Sequence, residues 1–140
     1  MTDSIETLYE QGLKRYEDGA SPAELIPLFK DICDRAPRNS AGWSSLAWLY
    51  LLTEKPDRAL KAAQKSVKLD KAAPQARVNL AIAMLDTKKT GVREHIEAAQ
   101  HLLDVSDEVR ADVIANLRDG LKRRPDWKSL KRICEWLGVS

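Results

Sequence analysis

Apolar residues recur along this chain every three or four positions, the spacing of a buried helical stripe, and turn-forming residues interrupt them often enough to make hairpins. Between residues 40 and 73, Trp43, Leu46, Ala47 and Tyr50 form one stripe and Ala59, Leu60, Ala63, Val67 and Leu69 a second. Glu54-Lys55-Pro56-Asp57 separates them, with Pro56 suited to the first position of the second helix. Upstream, Ile5, Leu8, Tyr9, Leu13 and Tyr16 predict a helix over residues 4–18, with Gly12 at a close-approach position and Gly19 ending it. Ser21, Pro22 and Glu24 form a capping box for the next helix, whose buried side is Leu25, Leu28, Phe29 and Ile32. Pro27 lacks the N–H that would bond to Ala23, which predicts a distorted first turn or a later start. Near the C-terminus, Ser106 caps a helix with acid in its first turn and Val109, Val113, Leu117 and Leu121 along it. Pro125-Asp126 stops that helix and leads into a last one over residues 127–137, ended by Gly138.

The central hairpin repeats. One repeat length downstream, Leu80, Ala81, Met84 and Leu85 stand where Leu46, Ala47, Tyr50 and Leu51 stood, and residues 96–103 follow the pattern of residues 60–67. That register needs a short insertion in the turn between Thr87 and Val92, where insertions cost little. Upstream, residues 32–39 align with residues 66–73.

These residues resemble the tetratricopeptide repeat, a helix-turn-helix unit of about 34 residues with the pattern W-x2-L-G-x2-Y, then A-x3-F, then P. Trp43, Leu46 and Tyr50 occupy the first large positions, Ala47 stands at the glycine and Ala59 at the small position of the second helix, while Ala63 and Lys71 depart from the aromatic and the proline. Pro37 falls on the proline position of the preceding repeat. The resemblance implies an all-α, right-handed solenoid of three hairpins, over about residues 5–39, 40–73 and 74–105, within a single domain spanning residues 1–140. Residues 106–138 do not match and predict a capping helix pair for the open end of the stack.

Composition fits a soluble helical protein, and no apolar run approaches the roughly 18 residues of a membrane span. The N-terminal stretch MTDSIETLYEQ has neither a basic n-region nor an apolar h-region, so a cytoplasmic protein without a secretory signal is expected. Cys33 and Cys134 lie in apolar helical patterns rather than in a metal-spaced pair and read as buried, reduced thiols. His95 and His101 point to different faces of one predicted helix, and there is no phosphate loop or nucleophile elbow. Neither an enzyme, a metal site nor a cofactor is expected.

In proteins of this family the first helix of each repeat lines a concave face. The resemblance therefore names a partner-binding groove: Tyr9, Leu13 and Tyr16, then Ser44, Trp48, Leu51 and Leu52, then Val78, Asn79, Ile82 and Leu85. Trp43 takes the packing position, so Trp48, more than a turn further on, points elsewhere and is expected as an exposed anchor for a peptide or helix of a partner protein. A chaperone-type carboxylate clamp fits poorly, because only Asn79 and Arg77 or Gln75 match it. In a competing reading, the C-terminal helices fold into the groove and cover the strip.

Charge adds a second feature. From Arg118 onward the chain is net +4, while the rest is net −2. The basic patch is Arg118, Lys122, Arg123, Arg124, Lys128, Lys131 and Arg132. It could take an acidic partner or nucleic acid, with Trp127 and Trp136 interleaved, or be a solvated face. Homo-oligomerisation through the apolar groove is a further alternative.

Overall fold

A computed structural model describes residues 4–139, which form eight helices and no strand. Each starts where the local chemistry permits. Helix α1 (Ile5–Glu17) is capped by Ser4, whose hydroxyl accepts from the Thr7 N–H at 3.1 Å. Helix α2 (Pro22–Arg35) is capped in the same way by Ser21. It runs from Pro22 without a later start and carries Pro27 on its exposed side, where the lost hydrogen bond leaves the Ala23 carbonyl near water. Helix α3 (Ser40–Leu52) is capped by the Asn39 side chain, and α4 (Pro56–Leu69) and α5 (Pro74–Asp86) both open on proline. Helix α6 (Val92–Asp104) follows Gly91, α7 (Asp107–Arg123) is capped by Ser106, and α8 (Lys128–Leu137) closes at Gly138 in the left-handed region.

The repeat is legible in the backbone. Thr53 and Thr87 end α3 and α5 alike, each hydroxyl donating back to a carbonyl in the preceding turn, Leu49 at 2.9 Å and Ala83 at 2.8 Å. The next residues, Glu54 and Lys88, both take φ 58°. The following N–H groups, of Lys55 and Lys89, then reach Tyr50 and Met84 carbonyls at 2.8 Å in both turns. The extra residues of the α5–α6 turn end at Gly91, whose φ of 88° suits glycine.

Helices α1 to α6 pack in chain order, each on the next, and α3 also meets α5. Gly12 sets the first of these approaches, since a Cβ there would lie 2.7 Å from the Phe29 ring. The core runs from Leu25, Phe29 and Ile32 of α2 through α3 and α5 to Leu103 of α6. The two last helices take different places. Helix α8 packs on α5 and α6, while α7 crosses the face formed by α1, α3 and α5.

Candidate partner-binding site

Helices α1, α3 and α5 together line one face, but α7 and α8 cover much of it. Trp48 is only 6% exposed. Its ring packs on Trp127 at a centroid distance of 5.8 Å, and its indole N–H donates to the Tyr16 hydroxyl at 3.0 Å. Gly120 of α7 lies directly over it, and a Cβ at that position would fall 2.8 Å from Trp48 Cη2. Leu51, Leu52, Val78 and Ile82 are buried as well, and Leu85 is half-buried against the core. The expectation that Trp48 and this strip stand exposed is therefore corrected: an apolar strip of this size is covered by the chain that carries it. Trp43, expected as the core aromatic, is the half-buried one, its indole N–H held by the Pro37 carbonyl at 2.9 Å.

Polar contacts hold α7 in place. The Tyr16 hydroxyl donates to the Asp119 carboxylate, which also pairs with Arg123 at 2.9 Å. Arg123 lies over the Tyr16 ring at 4.2 Å. Burial, and then the bond to Asp119, push the Tyr16 pKa up to about 12. Arg124 donates to the Leu51 carbonyl at 2.7 Å, lies over the Trp127 ring at 4.3 Å and approaches Glu54 at 3.6 Å. Trp127 in turn donates to the Asp86 carboxylate at 3.2 Å. The basic patch is thus split. Arg123 and Arg124 clamp α7 to α1 and α3, whereas Arg118, Lys122, Lys128, Lys131 and Arg132 are exposed, Arg132 over Trp136 at 4.9 Å. The two tryptophans expected to interleave with this charge part company: Trp127 is buried and Trp136 exposed.

What α7 leaves open is a cleft of about 360 Å³ at the other end of the face. Tyr9, Leu13 and Tyr16 of α1, Ser44 and Ser45 of α3 and Gln75 of α5 line it, and Asn116 of α7 forms one wall. Asn79, fully buried, donates to the Ser44 carbonyl and hydroxyl at 3.1 Å each. Gln75 donates to Asn79 at 2.8 Å, and Asn116 donates to Gln75 at 3.1 Å. This relay keeps a row of amides at the cleft wall, with the Asn116 carbonyl oxygen and one Gln75 N–H left over. Neither lysine nor arginine lines the cleft, so a carboxylate clamp has no cation here. Ser45, Asn116, Asp119 and Gly120 escaped the sequence reading. A polar face on α7, Asn116, Asp119 and Arg123 at helical spacing, was the available signal.

Cys33 and Cys134 are both free and buried. Burial pushes the Cys33 thiol up to about 12 and raises that of Cys134. Among the described residues no group of histidine, cysteine and carboxylate side chains could hold a metal, and no helix is long and apolar enough to cross a membrane.

No protein-family model matches the chain, and no curated protein matches it. Solved structures do. The type III secretion translocator chaperone SycD of Yersinia enterocolitica superposes with a TM-score of 0.67 at 17% identity, over 89% of this chain and 96% of that one. PcrH, a protein of Pseudomonas aeruginosa, in complex with the chaperone binding region of PopD gives 0.67 at 18% identity, over 86% and 92%. The first tetratricopeptide domain of Spaghetti (RPAP3), bound to the HSP90 peptide SRMEEVD, gives 0.65 at 19% identity, over 82% and 94%. The fold of this chain is tetratricopeptide-like and all-α.

Proposed function

We propose that this chain is a protein-interaction adaptor that holds a short extended peptide of a partner protein in the open cleft between α1, α3 and α5. The supporting observation is the division of the face. One half is covered by α7 and α8, while the other stays open as a cleft that sets hydroxyl and amide groups of Tyr9, Ser44, Ser45, Gln75 and Asn116 beside apolar surface of Leu13, Phe29 and Leu49, the equipment for bonding a peptide backbone and seating one or two side chains. Two proteins of the same fold are bound to segments of a partner in their solved structures, PcrH to a region of PopD and the Spaghetti domain to a peptide of HSP90. With no cation lining the cleft, the peptide that fits is neutral or basic rather than one ending in an acidic cluster. Binding through the basic C-terminal patch loses support, since two of its arginines are engaged within the fold. Self-association through the apolar strip would require α7 to leave it.

A displayed peptide library selected on the protein tests this reading. Selected sequences are expected to bind wild type and to lose about tenfold or more in affinity with Ser45→Trp, which fills the cleft, or Leu13→Asp at its rim, since loss of a central anchor costs over 1 kcal/mol. Selection of peptides indifferent to both substitutions would overturn it.

A further inference from the structure

The side of the stack away from the cleft carries the charge that the cleft lacks. On α4, Arg58, Lys61, Lys65 and Lys68 recur at helical spacing, share one face and are exposed. No described carboxylate lies within ion-pair distance of any of them. From Arg58 to Lys68 the ridge is about 15 Å long. Taken alone, such a row is a solvated face. What distinguishes it is the pair of clefts on its flanks.

The first, of about 410 Å³, lies between α2, α3 and α4. Trp43, Leu46 and Tyr50 lie beneath it, and Lys30, Arg58, Lys61 and Lys65 surround it, with Asp34 as its single carboxylate. The Trp43 indole N–H is already spent on Pro37, which leaves apolar ring surface to line the opening. The second, of about 490 Å³, lies between α4, α5 and α6. Val67, Leu80 and Met84 supply its apolar lining, and Lys68, Lys71 and Arg77 its charge, with no carboxylate. Arg77 donates to His95 Nδ1 at 3.0 Å, a partner that leaves the guanidinium charge uncompensated.

We propose that this outer face docks an acidic amphipathic segment of a partner protein, its aliphatic side chains seated in the two clefts and its carboxylates over Lys61, Lys65 and Lys68. Apolar lining beside unpaired cations is complementary to a helix whose leucines recur every three or four residues beside glutamates, and both components are needed: charge steers the encounter and apolar anchors hold it. A nucleic acid would use the cations but not the clefts. Base stacking needs exposed aromatic faces, and here Tyr50 is buried, Trp43 is half-buried and the second cleft has no Phe, Tyr or Trp, its ring being that of half-buried His95, engaged by Arg77.

The test is fluorescence anisotropy on the full chain with a synthetic amphipathic peptide of about 18 leucine and glutamate residues, long enough at 1.5 Å per residue to span the ridge. The expected result is saturable binding, weakened about tenfold or more by the triple reversal Lys61→Glu, Lys65→Glu, Lys68→Glu. The matched reversal on α8, Lys128→Glu, Lys131→Glu, Arg132→Glu, should leave affinity within about twofold, because the charge lost is the same but the clefts are elsewhere. A peptide with serine in place of leucine should bind more weakly. Lys65→Gln alone should give a graded loss, which protects the test should the triple variant melt early. Absence of binding, equal loss from both triple variants, or full affinity of the serine peptide would each overturn the proposal. So would tighter binding of a thymidine oligonucleotide of matched charge, which would make the face a nucleic-acid surface. Ser45→Trp is expected to change nothing here, so failure in the concave cleft and failure on this face are read separately.

Discussion

The two halves of the face lined by α1, α3 and α5 differ in whether the chain covers them: α7 and α8 close over the strip around Trp48, and a cleft stays open beside Tyr9 and Leu13. Trp48, Leu51, Leu52, Val78 and Ile82 would expose a contiguous apolar surface, and each is buried. At about 25 cal/mol per Å², covering such a strip favours docking of the C-terminal helices over leaving it in water. Around the cleft the lining is mixed: Tyr9, Ser44, Ser45 and Gln75 bring hydroxyl and amide groups beside apolar surface from Leu13, Phe29, Trp48 and Leu49. Leu13, at 39% exposed, presents apolar surface at the rim. The chain thus closes one half of the face on its own apolar strip and leaves open a cleft that could seat both a peptide backbone and an apolar side chain.

Replacing the tryptophans one at a time gives the sharpest test of this division. Trp48→Ala should cost about 3–5 kcal/mol, because it empties a buried site beneath Gly120 of α7. Trp43→Ala, at a half-buried site, should cost about half as much or less. Chemical denaturation of the two variants measures the difference, and a larger loss at Trp43 would reverse the assignment. Gly120→Leu should come next, at about 1–3 kcal/mol of overpacking against Trp48 and Leu130. Its tryptophan emission should shift to the red if α7 lifts from Trp48.

The Tyr16–Asp119 bond predicts a pH signature. The Tyr16 pKa is raised in the folded protein, so its contribution is fully present below the ordinary value of 10.0 and is lost as pH rises toward about 12. Stability should fall across that window, and Tyr16→Phe should flatten the fall while costing about 1–3 kcal/mol at neutral pH, since it leaves Asp119 short of a donor. Smallest of all should be the effect of Leu13→Asp on the free energy of unfolding, within about 0.5 kcal/mol as for ordinary surface changes. Its expected effect is on peptide binding alone. A large drop in stability there would show that the open half is a structural wall rather than a site.

Much of the fold could be read in one dimension because its determinants are local. Ser4, Ser21 and Ser106 cap helices using atoms only a few residues away, and Pro56 and Gly138 act within a single turn. The repeat, too, shows itself through short-range spacing, as in Leu46 and Leu80, and the structure returns it in the matched turns at Glu54 and Lys88. The site was less legible. A hint was present, in that every residue from Leu46 to Leu52 is apolar, and a helix apolar on all sides is covered on all sides. Spacing along α3 could not say that the cover would be α7. That choice rests on pairings of residues far apart in the chain, Tyr16 with Asp119, Trp48 with Gly120 and Gln75 with Asn116. The basic ridge has the same history. Its lysines are evident in α4 as a helical row, but the clefts that give the row a meaning are made by neighbouring helices. The sequence by itself determined where helices start and stop and that hairpins stack, since caps, turns and periodicity act over one turn of chain. Only the tertiary structure decided which surfaces those hairpins keep, because burial is settled by whichever distant segment removes the most apolar area from water.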